Sequence, residues 1–200
     1  GHFCEAGSSN PTPCSPTTFN PSTHSTNITA CLYCEEGSFC GTYGLSAPSG
    51  LCASGYVCKH GADTATPTTI TTKVDPATAY LWSLGGEITP PGYFSHNGSH
   101  TYTACAAGTF NPYSGRDSCY PTPAGYYTTS NSTSYTKNIG APGYYYPERT
   151  EYRTQFPCPR GTFSANYGNR NITACISAPA GYYAEGEHNS AVTGQCSEGF

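Results

Sequence analysis

One pattern occurs twice near the start of the chain, in Cys34-Glu35-Glu36-Gly37-Ser38-Phe39-Cys40 and in Cys52-Ala53-Ser54-Gly55-Tyr56-Val57-Cys58. Each stretch has a cysteine, two residues, a glycine, two residues and a second cysteine. The glycine permits a positive φ in a tight turn, and aromatic or β-branched residues after it favour an extended strand. We therefore predict that each stretch begins a small β-hairpin.

The glycine and the aromatic residue that follows it recur along the whole chain. The motif starts at residues 1, 17, 37, 55, 92, 108, 125, 143, 161, 181 and 199, with Thr17 in place of the glycine. The step from 55 to 92 is about two periods, so we expect a degenerate copy within residues 64–81. Units of about 18 residues cannot bury their own aromatic rings, and such units occur in stacked arrays. The prediction is a mainly β and irregular fold of small disulfide-rich hairpin repeats, stacked into an elongated rod with almost no helix.

The composition supports small stapled units over a single large core. Of 200 residues, 23 are Gly, 17 are Pro and 12 are Cys, whereas Met is absent and only 10% are charged. Aliphatic residues are too few for one core of this size, and small cores of this kind are usually cross-linked in an oxidising compartment. The net charge of −4 argues against nucleic-acid binding. The sequence also has no apolar run long enough to span a membrane.

The cysteine spacing predicts the disulfides. The long repeats predict the pairs Cys14–Cys31, Cys105–Cys119 and Cys158–Cys175, each closing a loop of roughly 15 residues. For the two short stretches we favour Cys34–Cys52 with Cys40–Cys58, and the alternative is Cys34–Cys40 with Cys52–Cys58. We expect Cys4 and Cys196 to pair with cysteines just beyond the ends of this sequence or in a neighbouring chain, with Cys4–Cys14 as an alternative for the first.

Four tripeptides match the N-glycosylation sequon, and they begin at Asn27, Asn97, Asn131 and Asn171. Asn27 and Asn171 are the stronger candidates, because both stand in Asn-Ile-Thr-Ala-Cys at the end of a long repeat. We expect covalent N-glycans, with O-glycans plausible on the Thr-rich run 64–72, and an extracellular or cell-surface location.

The cysteine distribution divides the chain into three segments. Residues 1–58 are cysteine-rich repeats, 59–104 are a cysteine-free insert or degenerate repeats, and 105–200 are cysteine-poor Gly-Tyr repeats. We expect the whole sequence to be a fragment of a longer array. In the middle segment we favour a strand over 80–88, around the only tryptophan, Trp82. Tyr127, Tyr145 and Tyr183 alternate with neighbouring tyrosines on predicted strands and are, with Trp82, our candidate interface aromatics.

The pattern Cys-x-x-Gly-[Thr/Tyr]-[Phe/Tyr] followed by Cys-x-x-Cys-x-x-Gly-x-Phe-Cys resembles the cysteine-rich repeats of ephrin-receptor-like and tumour-necrosis-factor-receptor-like ectodomains. It resembles still more the repeat arrays of protist and algal surface proteins, including flagellar-hair (mastigoneme) proteins. The resemblance covers residues 1–58 and 105–200. It implies an elongated extracellular rod that is a subunit of a filament.

The sequence carries no catalytic or cofactor motif. Cys31 and Cys34 have zinc-ligand spacing, but no second pair stands nearby, and His96 and His100 bracket a sequon. Glu185 and Glu187 are a weak calcium candidate at most. We therefore expect no catalytic, cofactor-binding or metal site and no enzyme activity.

Two functions are compatible with these features. The first is a structural component of an extracellular glycosylated filament or cell-surface appendage, which self-assembles with copies of itself through repeat contacts. The alternative is the ectodomain of a cell-surface receptor or adhesin that binds protein or carbohydrate, with the segment around Trp82 as the candidate patch.

Overall fold

The computed structural model describes residues 1–74 and 81–197, which form short β-strands and two 3-10 helices without any α-helix. The strands are β1 (His2–Phe3), β2 (Thr12–Pro13), β3 (Thr18–Phe19), β4 (Leu32–Tyr33), β5 (Ser38–Phe39), β6 (Gly50–Leu51), β7 (Tyr56–Cys58), β8 (Ile70–Val74), β9 (Leu81–Ile88), β10 (Tyr93–Phe94), β11 (Thr103–Ala104), β12 (Thr109–Phe110), β13 (Tyr120–Pro121), β14 (Thr162–Phe163), β15 (Ile176–Ser177), β16 (Tyr182–Tyr183) and β17 (Gly194–Gln195). The 3-10 helices are Ile28–Ala30 and Ile172–Ala174. The predicted mainly β fold of disulfide-rich hairpin repeats is confirmed. None of the described helices is long and apolar enough to cross a membrane.

The hairpins share one register. The residue directly after the motif glycine, or after Thr17, lies opposite the residue four positions before the next motif. These antiparallel partners are His2 and Pro13, Thr18 and Tyr33, Ser38 and Leu51, Thr109 and Pro121, Thr162 and Ser177, and Tyr182 and Gln195, with isolated bridges between Tyr126 and Ile139 and between Tyr144 and Pro157. Each repeat is therefore one hairpin, which runs from the residue three before its motif residue to the residue four before the next motif residue.

A second set of backbone hydrogen bonds joins successive repeats in two runs of the chain, from Gly1 to Ser95 and from Gly108 to Ala184. The N–H of a motif residue donates to the carbonyl of the residue three positions after the next motif residue, as Gly37 does to Cys58. The carbonyl of the same motif residue accepts from the N–H of the residue three positions before the next motif residue, as Gly37 does from Cys52. The N–H bonds run from Gly1 to Asn20 (2.6 Å), Thr17 to Cys40 (2.8 Å), Gly37 to Cys58 (2.9 Å), Gly108 to Thr128 (2.8 Å), Gly125 to Tyr146 (2.8 Å) and Gly143 to Ser164 (2.8 Å). These bonds use only the main chain, so the same pattern recurs in repeats whose side chains differ.

The 37-residue step is one enlarged repeat. The N–H of Gly55 donates to the carbonyl of Ser95 at 2.9 Å, and Tyr56 lies opposite Ile88, four residues before Gly92. Gly92 therefore begins the repeat that directly follows Gly55, and the degenerate copy expected within 64–81 is wrong. In its place the structure has an inserted hairpin, β8 and β9, whose connection at residues 75–80 lies outside the described residues. A count of periods cannot distinguish two short repeats from one repeat with an insertion.

The chain divides into two compact lobes. The first lobe comprises residues 1–103 with 113–118, and the second comprises 104–112 with the chain from 119 onward. In the first lobe, Cys52, Cys58 and Ala62 form a small buried cluster against which Phe39 and Tyr56 pack. The interior is thus made of small side chains and disulfides, as expected of a chain poor in aliphatic residues. The three-segment division drawn from the cysteines stays a prediction.

Candidate functional site

Two positions of the repeat supply much of the buried interior of the described residues. We call the residue three before the motif glycine (or Thr17) the entry position and the residue three after it the exit position. Fifteen residues at these positions are at most 2% exposed: Cys14, Asn20, Cys34, Cys40, Cys52, Cys58, Thr89, Ser95, Cys105, Asn111, Thr122, Thr128, Tyr146, Cys158 and Ser164. Because the turn at the glycine reverses the chain, these two side chains meet inside their own repeat.

In two repeats a disulfide joins the entry and exit positions. The bonds are Cys34–Cys40 and Cys52–Cys58, with Cα–Cα distances of 5.9 and 5.7 Å. The favoured pairing of Cys34 with Cys52 and of Cys40 with Cys58 is therefore wrong, and the alternative is the one present. The physical reason is the turn: Ser38 N–H donates to the Glu35 carbonyl at 3.1 Å, which folds the chain back over Gly37 and brings Cys40 against Cys34.

In three long repeats the entry cysteine bonds elsewhere. The pairs are Cys14–Cys31, Cys105–Cys119 and Cys158–Cys175, as the sequence predicts. Each second cysteine lies six residues before the next motif glycine, and the exit position is then Asn or Ser. In the first of these repeats the Asn20 amide Nδ2 donates to the His2 carbonyl and to Ser25 Oγ, both at 2.9 Å. The buried amide of Asn20 is therefore hydrogen-bonded to the preceding hairpin and to Ser25, at a position where two other repeats have a disulfide.

The cysteine-free repeats fill the same positions with other pairs. Thr89 Oγ1 and Ser95 Oγ are hydrogen-bonded at 2.6 Å in the first lobe, and Thr122 Oγ1 and Thr128 Oγ1 are hydrogen-bonded at 2.5 Å in the second. Sequence reasoning missed these hydroxyl pairs. The signal was available, because both pairs have the six-residue spacing around a glycine that Cys34 and Cys40 have.

One repeat of the second lobe pairs the smallest residue with a large one. Its entry residue is Gly140, and a Cβ there would lie 2.1 Å from Cδ2 of Tyr146, the exit residue. The phenol of Tyr146 accepts from the Ala141 N–H at 2.9 Å and donates to the Arg153 carbonyl at 2.6 Å. Burial raises the pKa of the Tyr146 phenol, which the hydrogen bond from Ala141 and the charge of Arg153 oppose more weakly.

Two cysteines of the described residues, Cys4 and Cys196, are free and exposed. Cys4 occupies the exit position of the motif at Gly1, and Cys196 occupies the entry position of the motif that starts at residue 199. Their predicted partners beyond this sequence stay a prediction. The alternative Cys4–Cys14 is wrong, because Cys14 is bonded to Cys31.

All four sequon asparagines are exposed. Asn27 and Asn171 have the same local geometry, since each caps a 3-10 helix with its side chain. The Asn27 Oδ1 accepts from the Thr29 N–H at 3.0 Å, and the Asn171 Oδ1 accepts from the Thr173 N–H at 3.1 Å and from the Thr173 hydroxyl at 2.5 Å. This arrangement engages the amide oxygen, so that the amide nitrogen, which would carry the glycan, has no hydrogen bond in the described structure.

The candidate aromatics lie in different surroundings. Trp82 is half-buried on β9; its ring centroid lies 4.9 Å from that of His60 and 6.3 Å from that of Tyr33. Tyr127 and Tyr145 are half-buried, and their rings contact those of Tyr146 and Phe156 within the second lobe. Tyr183 is exposed and lies on β16. Their role at an interface stays a prediction, and the expected strand at 80–88 is present as β9, with Tyr80 outside the described residues.

Few groups on the described surface are arranged as a candidate site for a metal or ligand. Among residues 1–74 and 81–197, no cluster of three or more His, Cys, Asp or Glu side chains has the geometry to hold a metal ion. A groove beside the inserted hairpin is lined by Glu36, Lys59, His60, Leu81, Trp82 and Ser83. Its lining combines the aromatic rings of His60 and Trp82 with the charged side chains of Glu36 and Lys59.

The chain is similar to a segment of larger proteins. No known family model matches it. It is 33% identical over 101 residues to the Homo sapiens protein named "Signal peptide, CUB and EGF-like domain-containing protein 2", 37% identical over 91 residues to its Danio rerio namesake and 33% identical over 103 residues to that of Mus musculus. The matches cover 47%, 42% and 48% of this chain but only 10%, 9% and 10% of those proteins.

The similarity to these proteins and the disulfides both indicate the cellular compartment of the chain. The relatives' shared name records a signal peptide, which directs a protein into the secretory pathway. The five disulfides of the present structure also belong to an oxidising compartment. Together they indicate a segment of a secreted or cell-surface ectodomain.

Proposed function

We propose that this chain is a structural segment of an extracellular glycoprotein, the repeat array of a filament or cell-surface appendage that assembles with copies of itself. The observation that carries the proposal is the single register of the hairpins and of the bonds between them, which persists while the buried pair changes. Disulfide, Thr–Thr and Gly–Tyr pairs occupy the same two positions in repeats with the same backbone bonds. The shared feature of the repeats is thus their spacing, which is the property that a scaffold requires.

The surface supports a passive role. The chain needs no cofactor in this proposal, and it performs no catalysis. Its expected covalent additions are N-glycans, for which Asn27 and Asn171 present amide nitrogens on exposed caps. The proposed partners are further copies of the chain or neighbouring repeats of the same protein, with exposed thiols at Cys4 and Cys196 as candidate links.

Electron microscopy of the native material tests the filament directly. We expect regular fibres with an axial repeat in unreduced negative-stain samples. Partial loss of the fibres after mild reduction would assign the links to Cys4 and Cys196, since these thiols are exposed while the intrachain disulfides are buried at one or both sulfurs. A monodisperse protein that does not associate under either condition would contradict the proposal.

The glycan sites have their own test. Asn27→Gln and Asn171→Gln in secreted protein should each remove one glycan, seen as the mass of one N-glycan lost. The matched control is Asn27→Asp or Asn171→Asp, which retains the cap oxygen and also loses the glycan. Unchanged mass in the Gln variants would show that these asparagines are not modified.

A second candidate function is ligand binding by the inserted hairpin. The observation that favours it is the groove lined in part by Trp82, which belongs to the repeat enlarged by the inserted hairpin. Trp82 is the only tryptophan, so its fluorescence reports this groove alone. A saccharide or protein whose addition changes the emission, and whose binding is lost in Trp82→Ala but retained in Tyr183→Ala, would support an adhesin or receptor function.

A further inference from the structure

Strand β8 is the outer strand of its sheet. The sheet contains three strands in the order β7, β9, β8, and β8 contributes five residues, Ile70–Val74, all of them exposed. The other outer strand, β7, has three residues, of which Val57 and Cys58 are buried. Natural proteins usually protect long open edges with charged side chains, proline, a bulge or a covering segment, because an open edge pairs with other strands.

The direction of the backbone groups on β8 follows from its bonds to β9. The Thr69 carbonyl accepts from the Gly86 N–H at 3.0 Å, so alternate residues of the strand, 69, 71 and 73, turn their backbone groups toward β9. Gly85, which lies opposite Ile70, bonds to the other side: its N–H donates to the His60 carbonyl and its carbonyl accepts from Lys59. The N–H and C=O groups of Ile70, Thr72 and Val74 therefore point to the open edge.

The residues of this edge are complementary to themselves. If two copies of β8 run antiparallel about Thr72, then Thr72 lies opposite Thr72 and Ile70 lies opposite Val74. These are the residues whose backbone groups are free to pair, and the β-branched side chains opposite each other are favourable partners. Thr71 then lies opposite Lys73, so the one charged residue of the strand does not meet its own copy. The described strand has no proline, glycine or bulge that would prevent this pairing.

We propose that the β8 edges of two copies pair antiparallel about Thr72 and join their three-stranded sheets into one. This inference rests on the proposed self-assembly and names a surface for it. The contact is isologous, because the same edge is used by both copies, and it closes on two chains. It therefore links arrays side by side in pairs, and extension along the array needs a separate contact.

A cysteine at the centre of the pairing tests it. In a hydrogen-bonded antiparallel pair the opposed Cα atoms are about 5.5 Å apart, within the range that a disulfide spans. We expect Thr72→Cys, in a background with Cys4→Ser and Cys196→Ser, to form a disulfide-linked dimer under mild oxidation. The matched control is Thr71→Cys, also exposed, which should form no disulfide-linked dimer by itself but should cross-link when mixed with Lys73→Cys. Equal cross-linking of the Thr71→Cys and Thr72→Cys variants by themselves would overturn the proposal.

A proline substitution on β8 tests the contact at the open edge without removing a hydrogen bond to β9. Thr72→Pro removes an N–H that faces the open edge and is expected to abolish association through β8 while the five native disulfides still form. Association unchanged by Thr72→Pro would also overturn the proposal. Fibres that persist in Thr72→Pro, but without side-by-side pairing, would support the edge contact and leave the filament intact. A Thr72→Cys dimer in material that never forms fibres would support the edge contact and contradict the filament.

Discussion

Because a disulfide and a Thr–Thr pair occupy equivalent buried positions in different repeats, we predict that a disulfide can replace the Thr–Thr pair. Thr122 and Thr128 are the entry and exit residues of the repeat at Gly125, and both are fully buried. They occupy the positions of Cys34 and Cys40, whose Cα atoms are 5.9 Å apart. We expect the double variant Thr122→Cys/Thr128→Cys to form a disulfide spontaneously when the protein is expressed in an oxidising compartment.

The gain in stability is set by the loop that the new bond closes. A loop of about seven residues reduces the entropy of the unfolded chain by an amount worth about 2.4 kcal/mol. The variant loses the bond between the two hydroxyls and the bond from Thr128 Oγ1 to the Thr109 carbonyl at 3.2 Å, which together contribute about 2 kcal/mol. The expected increase in the free energy of unfolding is therefore small, at most about 1 kcal/mol.

Two measurements check this prediction. Intact mass with and without alkylation counts the free thiols, and unfolding of the oxidised protein in denaturant gives the change in stability. The matched control is Thr122→Cys/Thr129→Cys, because residue 129 is next along the chain but exposed. Two reactive thiols in the 122/128 variant, or an equally ready bond in the 122/129 variant, would refute the equivalence of the positions.

Three further predictions address single positions. Thr17→Gly should raise the free energy of unfolding by about 1 kcal/mol in denaturant titrations, because Thr17 has a φ of 81° in a slot that glycine fills elsewhere; no gain would contradict a strained turn. Gly140→Ala should lower it by about 1–3 kcal/mol, because its Cβ would overlap the Tyr146 ring, whereas Gly50→Ala, whose nearest contact is 3.3 Å, should cost less. The raised pKa of Tyr146 means that its contribution to stability is complete below the ordinary tyrosine pKa of about 10 and is lost as the pH rises through the folded value. Ultraviolet titration should show one late-ionising tyrosine that Tyr146→Phe removes, and a titration unchanged by that variant would contradict the assignment.

The local structure could be read from the sequence because each hairpin is determined locally. A glycine followed by an aromatic or β-branched pair specifies a turn and a short strand, and polar residues specify the return. The three disulfides of the long repeats could be predicted for the same reason, since each closes one repeat. Asn27 and Asn171 stood out because they occupy the same place in two such repeats.

The pairing of Cys34, Cys40, Cys52 and Cys58 could not be read in this way. In each arrangement the two bonds span the same number of residues as each other, so spacing alone does not distinguish the arrangements. Only the three-dimensional turn over Gly37 brings Cys34 against Cys40. The size of the repeat at Gly55 was misjudged because an insertion of one period has the same length as an extra repeat. The register of Tyr56 opposite Ile88 decides between them, and register is not visible in a count.

The candidate surface was only partly accessible to sequence reasoning. The single tryptophan marked the inserted hairpin, but the ring contacts of Trp82 with His60 and Tyr33 depend on packing between distant segments. Tyr127 and Tyr145 were expected to face outward, and their half-buried rings contact Tyr146 and Phe156. Strand periodicity gives the side of a strand, but it does not say which neighbour covers that side.

The central claim is that each repeat closes on itself across its own glycine turn, and one proteolytic cut tests it. Tyr43 is 68% exposed and lies between the two short cysteine stretches, so chymotrypsin should cleave after it in the unreduced protein. With Cys14–Cys31, Cys34–Cys40 and Cys52–Cys58 in place, no disulfide crosses this position. Whatever further cuts follow other exposed residues such as Tyr113, the two peptides that flank Tyr43 should separate in denaturant without reductant. Fragments that stay covalently joined until they are reduced would show the Cys34–Cys52 and Cys40–Cys58 pairing and would contradict the account.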